Sequence, residues 1–388
     1  MQMIQINQIR CRALVLAAAL GVVAVNASAV MQAPADRNDT VEATLDRGTP
    51  LGDVVIFDKA SGGYDTSDGL KWGRNSWTCQ SATDTATGAC PTQPVWVAAG
   101  NSTVIKLSFR EEKTSATAVL SLRGESAYIR HLDCSRNVIP EVVSNAVKPI
   151  EMAAAATDCM SQLDWDGRAI SVKIPAAELK KLPSGGIWKA NLQLNLRFWG
   201  TNNPPVLAVF RAAIKLNATD KDNIQIYLPE FTTATPVVDL KLRTLPNGSR
   251  LSGTSNVDMC LYDGYNSQST WFDVSASDGL TVDRRDEGQY SVLLDSDKSG
   301  AYASRLDYNV SLTYAGKRIA LPNNKTVRLQ GVNNSAGRSV SLPGISVPVV
   351  CTPTPLTLET PEFRSAWKRP GKYSNRLTIT FTPSAASL

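Results

Sequence analysis

The chain has 388 residues, 43% hydrophobic and 19% charged, with 40 Lys+Arg against 35 Asp+Glu and a single histidine. No lysine- or arginine-rich run accompanies that modest positive charge, which argues against a nucleic-acid partner. One histidine leaves little room for a Ser-His-Asp or Cys-His constellation, and no C-x-x-C is present to frame a zinc site.

Residues 1–29 read as a secretory signal. They carry no acid, Arg10 and Arg12 precede an apolar run from residue 13 to 25, and Ala27-Ser28-Ala29 is a small-x-small cleavage pattern. The mature chain is then expected to start at Val30 and to carry 38 basic against 35 acidic residues, a charge of about +3. Cys11 leaves with the signal. Six cysteines remain, Cys79, Cys90, Cys134, Cys159, Cys260 and Cys351, an even count that in an exported chain reads as three disulfides. Fifteen pairings are formally open, and closest-neighbour pairing gives Cys79–Cys90, Cys134–Cys159 and Cys260–Cys351.

Along the mature chain the hydrophobic period is two almost everywhere. Ile105, Leu107 and Phe109 alternate with polar residues, as do Ala118, Leu120 and Leu122, then Ile170, Val172 and Ile174. The cleanest run is Trp188, Ala190, Leu192, Leu194, Leu196 and Phe198, with Lys189, Asn191, Gln193, Asn195 and Arg197 on the other face. Val206, Ala208, Phe210, Ala212, Ile214 and Leu216 repeat it after a Gly/Asn/Pro turn at residues 200–205, which predicts a long antiparallel hairpin. Residues 140–146, 152–160 and 175–182 read as short helices, with Pro175 suited to a first helical position. The polar stretch 217–223 separates the hairpin from new alternating runs: Ile224, Ile226, Leu228; Val238, Leu240, Leu242; Val257, Met259, Leu261; and finally Leu377, Ile379, Phe381. Many short strands between turns predict an all-β protein of two β-sandwiches.

Catalytic chemistry is thin. His131 would be needed for any triad, and no G-x-S-x-G accompanies it. Asp164 and Asp166 could serve as a glycosidase pair in a secreted carbohydrate-active enzyme, or form a solvated turn. No cofactor or metal site is expected.

Several long strings carry a resemblance. Ile174-Pro-Ala-Ala-Glu-Leu-Lys-Lys-Leu-Pro-Ser-Gly-Gly-Ile-Trp188 continues into Leu192-Gln-Leu-Asn-Leu196. Further matches are Gly88-Ala-Cys-Pro91, Thr219-Asp-Lys-Asp-Asn-Ile-Gln-Ile-Tyr-Leu-Pro229, Val257-Asp-Met-Cys-Leu-Tyr-Asp-Gly-Tyr265, Ile345-Ser-Val-Pro-Val-Val-Cys351 and Leu377-Thr-Ile-Thr-Phe-Thr-Pro383. In order and over nearly the whole mature chain, they are similar to the enterotoxigenic class-five fimbrial tip adhesins and the CblD-like pilus initiators; a chaperone–usher minor pilin is the looser alternative. The resemblance implies an adhesin domain at residues 30–220, a linker at 221–223 and a pilin domain at 224–388. It also implies the three disulfides that proximity gives.

The pilin domain of such proteins resembles an immunoglobulin-like sandwich lacking its last strand. A periplasmic chaperone fills the gap, an outer-membrane usher handles export, and the N-terminal strand of the major pilin then replaces the chaperone by strand addition. The groove wall is expected to include Leu377, Ile379 and Phe381. Residues 30–50 are polar and weakly patterned (Val41, Ala43, Leu45), so the chain is expected to accept a strand rather than give one, and to sit at the fimbrial tip after secretion through the periplasm. The toxigenic adhesins bind glycans through arginines. Arg74, in Gly73-Arg-Asn-Ser-Trp-Thr-Cys79, matches one of them, whereas Phe198-Trp199 stands where the family has paired arginines. Arg197 and Trp199 share the polar face of their strand, so Arg74, Arg197 and Trp199 are the candidate patch for a host-cell glycan or protein receptor. The alternatives are a solvated arginine beside a strand-end aromatic, and an N-terminal domain that only caps the fibre.

Overall fold

A computed structural model describes residues 30–156, 159, 165–199, 204–233, 235–246 and 248–387. The expected signal segment and Asp164 lie outside the described residues. The architecture is all-β with two cores, each drawn from one half of the chain.

Among the described residues the N-terminal half contains ten strands: β1 (Met31–Gln32), β2 (Arg37–Asp46), β3 (Val54–Asp65), β4 (Ser76–Thr78), β5 (Thr103–Glu111), β6 (Thr117–Leu132), β7 (Val138–Val143), β8 (Gly167–Ile174), β9 (Gly186–Arg197) and β10 (Val206–Thr219). They hydrogen-bond in the order β1-β3-β8-β6-β5-β9-β10-β2, with β4 added to β9 and β7 to β6. The long hairpin forms as its alternation predicts: β9 and β10 run antiparallel from Arg197↔Val206 to Gly186↔Ala218. Trp188, Leu192, Leu194 and Leu196 are buried on one face of β9. The sheet folds over so that Phe57 on β3 meets Phe210 on β10 edge-on, ring centroids 5.8 Å apart, with Trp77 on β4 at 5.6 Å from the same ring.

Two helical expectations are corrected and a third is shortened. Residues 138–143 form β7, which pairs with the end of β6 from Ile129↔Val143 to Leu132↔Val138. The described part of 152–160 is irregular: the Ala153 N–H donates to the Val95 carbonyl and the Val95 N–H to that of Glu151, so a neighbouring segment takes the bonds a helix would have used. After Pro175 only one turn forms, Ala176–Leu179, and Pro175 itself is extended (φ −62°, ψ 144°), acting as the N-cap instead of the first helical residue.

The second half forms a sandwich. One sheet centres on Arg250–Val257, Leu356–Arg364, Arg305–Tyr314 and Tyr290–Leu294. A second has three strands, ordered Thr326–Gln330, Trp271–Ser277 and Thr378–Pro383. A third, Gln225–Tyr227, Cys260–Tyr262, Val349–Pro353 and Arg338–Val340, packs over Tyr262 and Cys351. The disulfides are Cys79–Cys90, Cys134–Cys159 and Cys260–Cys351, with Cα separations of 5.2, 5.2 and 5.7 Å.

The halves meet through tight backbone contacts beside a 3-10 turn at Lys221–Asn223. A Cβ at Gly185 would lie 1.9 Å from the Gly264 carbonyl oxygen, so only glycine allows this approach. Asn266 Nδ2 donates to the Gly185 carbonyl at 2.8 Å, and Lys113 Nζ donates to the Ser267 and Asn333 carbonyls at 2.6 and 3.1 Å. Among the described residues no helix is long and apolar enough to cross a membrane.

Candidate functional site

Two regions combine exposed apolar surface with unused bonding capacity. The first is built around Arg74. Asp68 caps the short helix Gly69–Trp72 by accepting from the Leu70 N–H. Gly73 then turns against the Trp165 backbone, where a Cβ would meet the Trp165 oxygen at 2.8 Å and that of Gly69 at 2.3 Å. Asn75 is buried and donates to the Gly62 carbonyl. With the chain pinned on both sides, β4 runs antiparallel to the end of β9, Ser76 opposite Arg197 and Thr78 opposite Asn195. Extending that register by two residues sets Arg74 opposite Trp199.

A residue that the periodicity does not reveal joins them. Trp96 is 46% exposed, flanked by exposed Val95 and Val97. Its ring lies 5.9 Å from that of Trp199 at a 39° tilt, and the Arg74 guanidinium stands over it at 5.0 Å. The Arg74 Nε is buried without a partner, and among the described residues Arg74 makes no hydrogen bond or ion pair. Arg197 differs. Its Nε donates to Thr78 Oγ1 at 3.1 Å and a terminal nitrogen to the Pro204 carbonyl at 2.8 Å, so it braces the hairpin end. The structure thus gathers Arg74 and Trp199 with Trp96, and gives Arg197 a supporting place beneath.

The second region is the edge strand Thr378–Pro383. Its pairing is antiparallel to Trp271–Ser277 on one side (Val274↔Phe381, Ala276↔Ile379), and it closes the three-stranded sheet. Leu377, Ile379 and Phe381 point to the core but remain only half-buried, whereas Phe272 and Val274 beside them are fully buried. Phe381 packs edge-on to Phe272 at 4.7 Å. Residues 236–240 are unpaired, and Pro236, Val238 and Leu240 are half-buried in alternation, with Val238 and Leu240 against the same core. Inward side chains on both elements therefore lack a full covering layer.

Of the two carboxylates considered for hydrolysis, Asp166 is engaged by His131, and Asp164 lies outside the described residues. Asp166 is buried and accepts from the His131 backbone N–H at 2.8 Å, and its other oxygen lies 3.1 Å from His131 Nδ1. Burial raises the Asp166 pKa against those bonds. His131 Nε2 faces Glu141 at 3.6 Å, and the ring packs on Tyr64 at 3.9 Å. With carboxylates on both ring nitrogens, this histidine has no hydroxyl or thiol to activate among the described residues. No group of metal-ligating side chains occurs among them either.

Comparisons with known proteins agree with this layout. Residues 26–221 match the family model of the first domain of CfaE, a subunit of the CFA/I fimbria, and residues 224–385 match that of its second domain. The chain belongs to the CfaE family of CFA/I fimbrial subunits. It is 31% identical over 324 residues to the CFA/I fimbrial E subunit of Escherichia coli, covering 81% of this chain and 82% of that one. Among solved structures it is similar to CfaE, the adhesive subunit of the CFA/I fimbria of enterotoxigenic Escherichia coli (28% identity, TM-score 0.75, 92% of this chain and 94% of that one). It is also similar to a chain of a chaperone–tip adhesin complex of CFA/I fimbriae biogenesis (28% identity, TM-score 0.65, 90% and 97%).

Proposed function

We propose that the protein is a fimbrial tip adhesin that starts pilus assembly by accepting a donor strand, and that its N-terminal domain binds a host-surface glycan. Residues 30–220 are taken as the adhesin domain, 221–223 as the linker and 224–388 as the pilin domain. The observation that carries the reading is the incompletely covered core of the C-terminal sandwich. Ile379 and Phe381 lie half-exposed on an edge strand and Leu377 just before it, with Val238 and Leu240 in the same condition. A strand laid along this edge would bond its free N–H and C=O groups and bury those side chains. The partners are then a periplasmic chaperone, an outer-membrane usher and the major pilin, and the destination is the pilus tip. Receptor binding is assigned to Arg74 with Trp96 and Trp199, supported by the exposed Trp96 indole, the half-buried Trp199 beside it and a guanidinium that makes no hydrogen bond or ion pair among the described residues.

Coexpression with the cognate chaperone tests the assembly half. A soluble one-to-one complex is expected, from which a synthetic peptide of the major pilin's N-terminal strand displaces the chaperone. Release of a full chain that stays monomeric and cooperatively folded with neither partner would overturn it.

A further inference from the structure

The C-terminal sandwich carries a basic and aromatic ledge that neither the slot nor the receptor patch uses. Between residues 364 and 376 stand five spaced cations, Arg364, Lys368, Arg369, Lys372 and Arg376, and no acid. The ledge starts with the 3-10 turn Ser365–Trp367 and is pinned by backbone bonds. The Ser365 N–H donates to the Ser249 carbonyl at 3.0 Å and the Arg369 N–H to that of Ala303 at 2.8 Å. Trp367 and Tyr302 are 50% and 49% exposed, with ring centroids 6.3 Å apart. The Arg364 guanidinium stands over the Trp367 ring at 5.3 Å, and Lys368 Nζ over that of Tyr302 at 3.4 Å.

Charge does not cancel here. The neighbouring acids are already matched: Glu362 by Arg250, Asp295 by Lys298, Asp297 by Arg369 and Asp307 by Arg305. Arg364 and Lys368 form no ion pair among the described residues. Lys368 donates to the Tyr302 carbonyl at 2.6 Å, and burial pushes its pKa down to about 8. A carboxylate brought against this surplus would restore what burial takes from the ammonium. Exposed Trp, Tyr and Arg side by side are also the groups on which binding energy concentrates at protein interfaces.

Strand register puts the ledge at the mouth of the slot. Arg364 lies opposite Arg250, at the end of its sheet remote from Val257 and from the Gly185–Gly264 contact with the N-terminal half. The edge strand of the slot begins just after Arg376, with Thr378 opposite Ser277, and runs to Pro383 opposite Phe272. That far end is closed. The Thr270 N–H donates to Ser384 Oγ, and Lys113 of the N-terminal half reaches the Ser267 and Asn333 carbonyls. A strand laid in the slot stays covalently joined to its own subunit, so the body of that subunit has to stand at the open end, beside the ledge.

Resting on the strand-accepting reading above, we propose that Arg364, Trp367, Lys368 and Tyr302 form a docking surface for the folded body of the donating pilin, which presents carboxylates to them. The slot holds the strand, and the ledge holds the subunit from which the strand comes.

The test uses the full chain in complex with its chaperone and two probes, the synthetic donor-strand peptide and the intact, chaperone-bound major pilin. Displacement of the chaperone by intact pilin is expected to slow about tenfold between roughly 0.05 and 0.5 M NaCl, against less than about twofold for the peptide. Arg364→Ala, Trp367→Ala and Lys368→Ala should each slow the intact pilin about tenfold. Arg364→Glu should slow it further, because it sets like charges together. All four should leave the peptide rate within about twofold, which also shows that each variant is folded with its slot intact. Equal salt dependence of the two probes, with the variants indifferent toward intact pilin, would overturn the inference and leave strand acceptance standing. Loss of binding to phosphatidylglycerol vesicles in the same variants, with pilin exchange unaltered, would also overturn it and turn the ledge toward a membrane. A peptide that displaced no chaperone from the unaltered chain would remove strand acceptance itself, and the inference with it.

Discussion

Phe381→Ala separates an unfinished sandwich from an ordinary edge strand. Truncating a fully buried phenylalanine costs about 3 to 5 kcal/mol. In the open sandwich Phe381 is half-exposed and packs on Phe272 from one side, so the loss there is about half, roughly 2 kcal/mol. Once a donor strand covers the slot the ring becomes buried, and the full cost applies. The difference of about 2 kcal/mol must come out of the binding of the strand, which weakens roughly thirtyfold. Leu312→Ala is the control. Leu312 is buried on the opposite sheet, so its loss of about 2 to 5 kcal/mol should fall equally on open and completed forms and leave strand affinity nearly unchanged. Urea unfolding of the full chain with and without the donor peptide, together with peptide titration, measures both quantities. If Phe381→Ala destabilised peptide-free and peptide-bound protein equally, with unaltered peptide affinity, the slot would not lie along this strand.

Other residues give sharper single outcomes. Arg168 is wholly buried, bonds Ser126 Oγ and the Met152 and Ala154 carbonyls, and stacks on Tyr128 at 4.6 Å; burial lowers its pKa to about 10, so it stays charged at neutral pH. Arg168→Ala should destabilise the N-terminal half by about 3 to 5 kcal/mol in chemical denaturation, because the buried Met152 carbonyl loses its donor, Ser126 Oγ and the Ala154 carbonyl each lose one of their bonds, and a large buried side chain is removed. Asp65 is held down to about 2, first by Lys71 and then by Ser67. Its folded value lies below the ordinary 3.8, so its contribution is present above about pH 4 and lost as pH falls toward 2. A melting-temperature profile of Asp65→Asn should therefore be flatter over that window than that of the unaltered protein. Replacing Cys260 and Cys351 together by alanine opens a 91-residue separation and should cost about 4 to 5 kcal/mol, read as a lower urea midpoint. Gly185→Ala forces the halves apart at Gly264 and should raise the rate of tryptic cleavage at Lys221 about tenfold, with each half's own core intact.

The sequence is most readable where one face is dry and the other wet. β9 and β10 announce themselves because Trp188 to Leu196 and Phe210 to Leu216 each line one wall of a core, and period two admits no other reading. The helical misreadings share a cause. Residues 138–143 and 152–156 lie on no strict alternation, and their backbone partners (Ile129 on β6, Val95 in a loop) are distant in sequence, so local propensity could not see them. Trp96 was invisible for the same reason: it sits in an irregular stretch between Cys90 and β5, and only the fold reveals that Arg74 and Trp199 lean on it. Arg197 stood on the polar face as alternation requires, but strand ends bend, and its guanidinium turned back to satisfy the Pro204 carbonyl.

Position in the fibre follows from what the first long strand, β2, is doing. A donor strand has to be free before it can insert, yet β2 is spent within its own domain. It runs parallel to β10 over ten residues, from Arg37↔Phe210 to Asp46↔Thr219. Glu42 binds Lys215 and Asn217, each at 2.8 Å, and Asp36 accepts from the Val209 N–H. Val41 and Ala43 pack against the core and Leu45 belongs to it. At about 1 kcal/mol for each of roughly ten ladder bonds, peeling β2 away would cost on the order of 10 kcal/mol before apolar exposure is counted, as much as an entire domain's stability. Deleting residues 37–46 is therefore expected to unfold the N-terminal half, detected as protease sensitivity, while leaving the C-terminal slot able to take the donor peptide. Were that deletion to leave a folded N-terminal half, β2 would be an extractable arm and the chain could occupy the interior of a fibre.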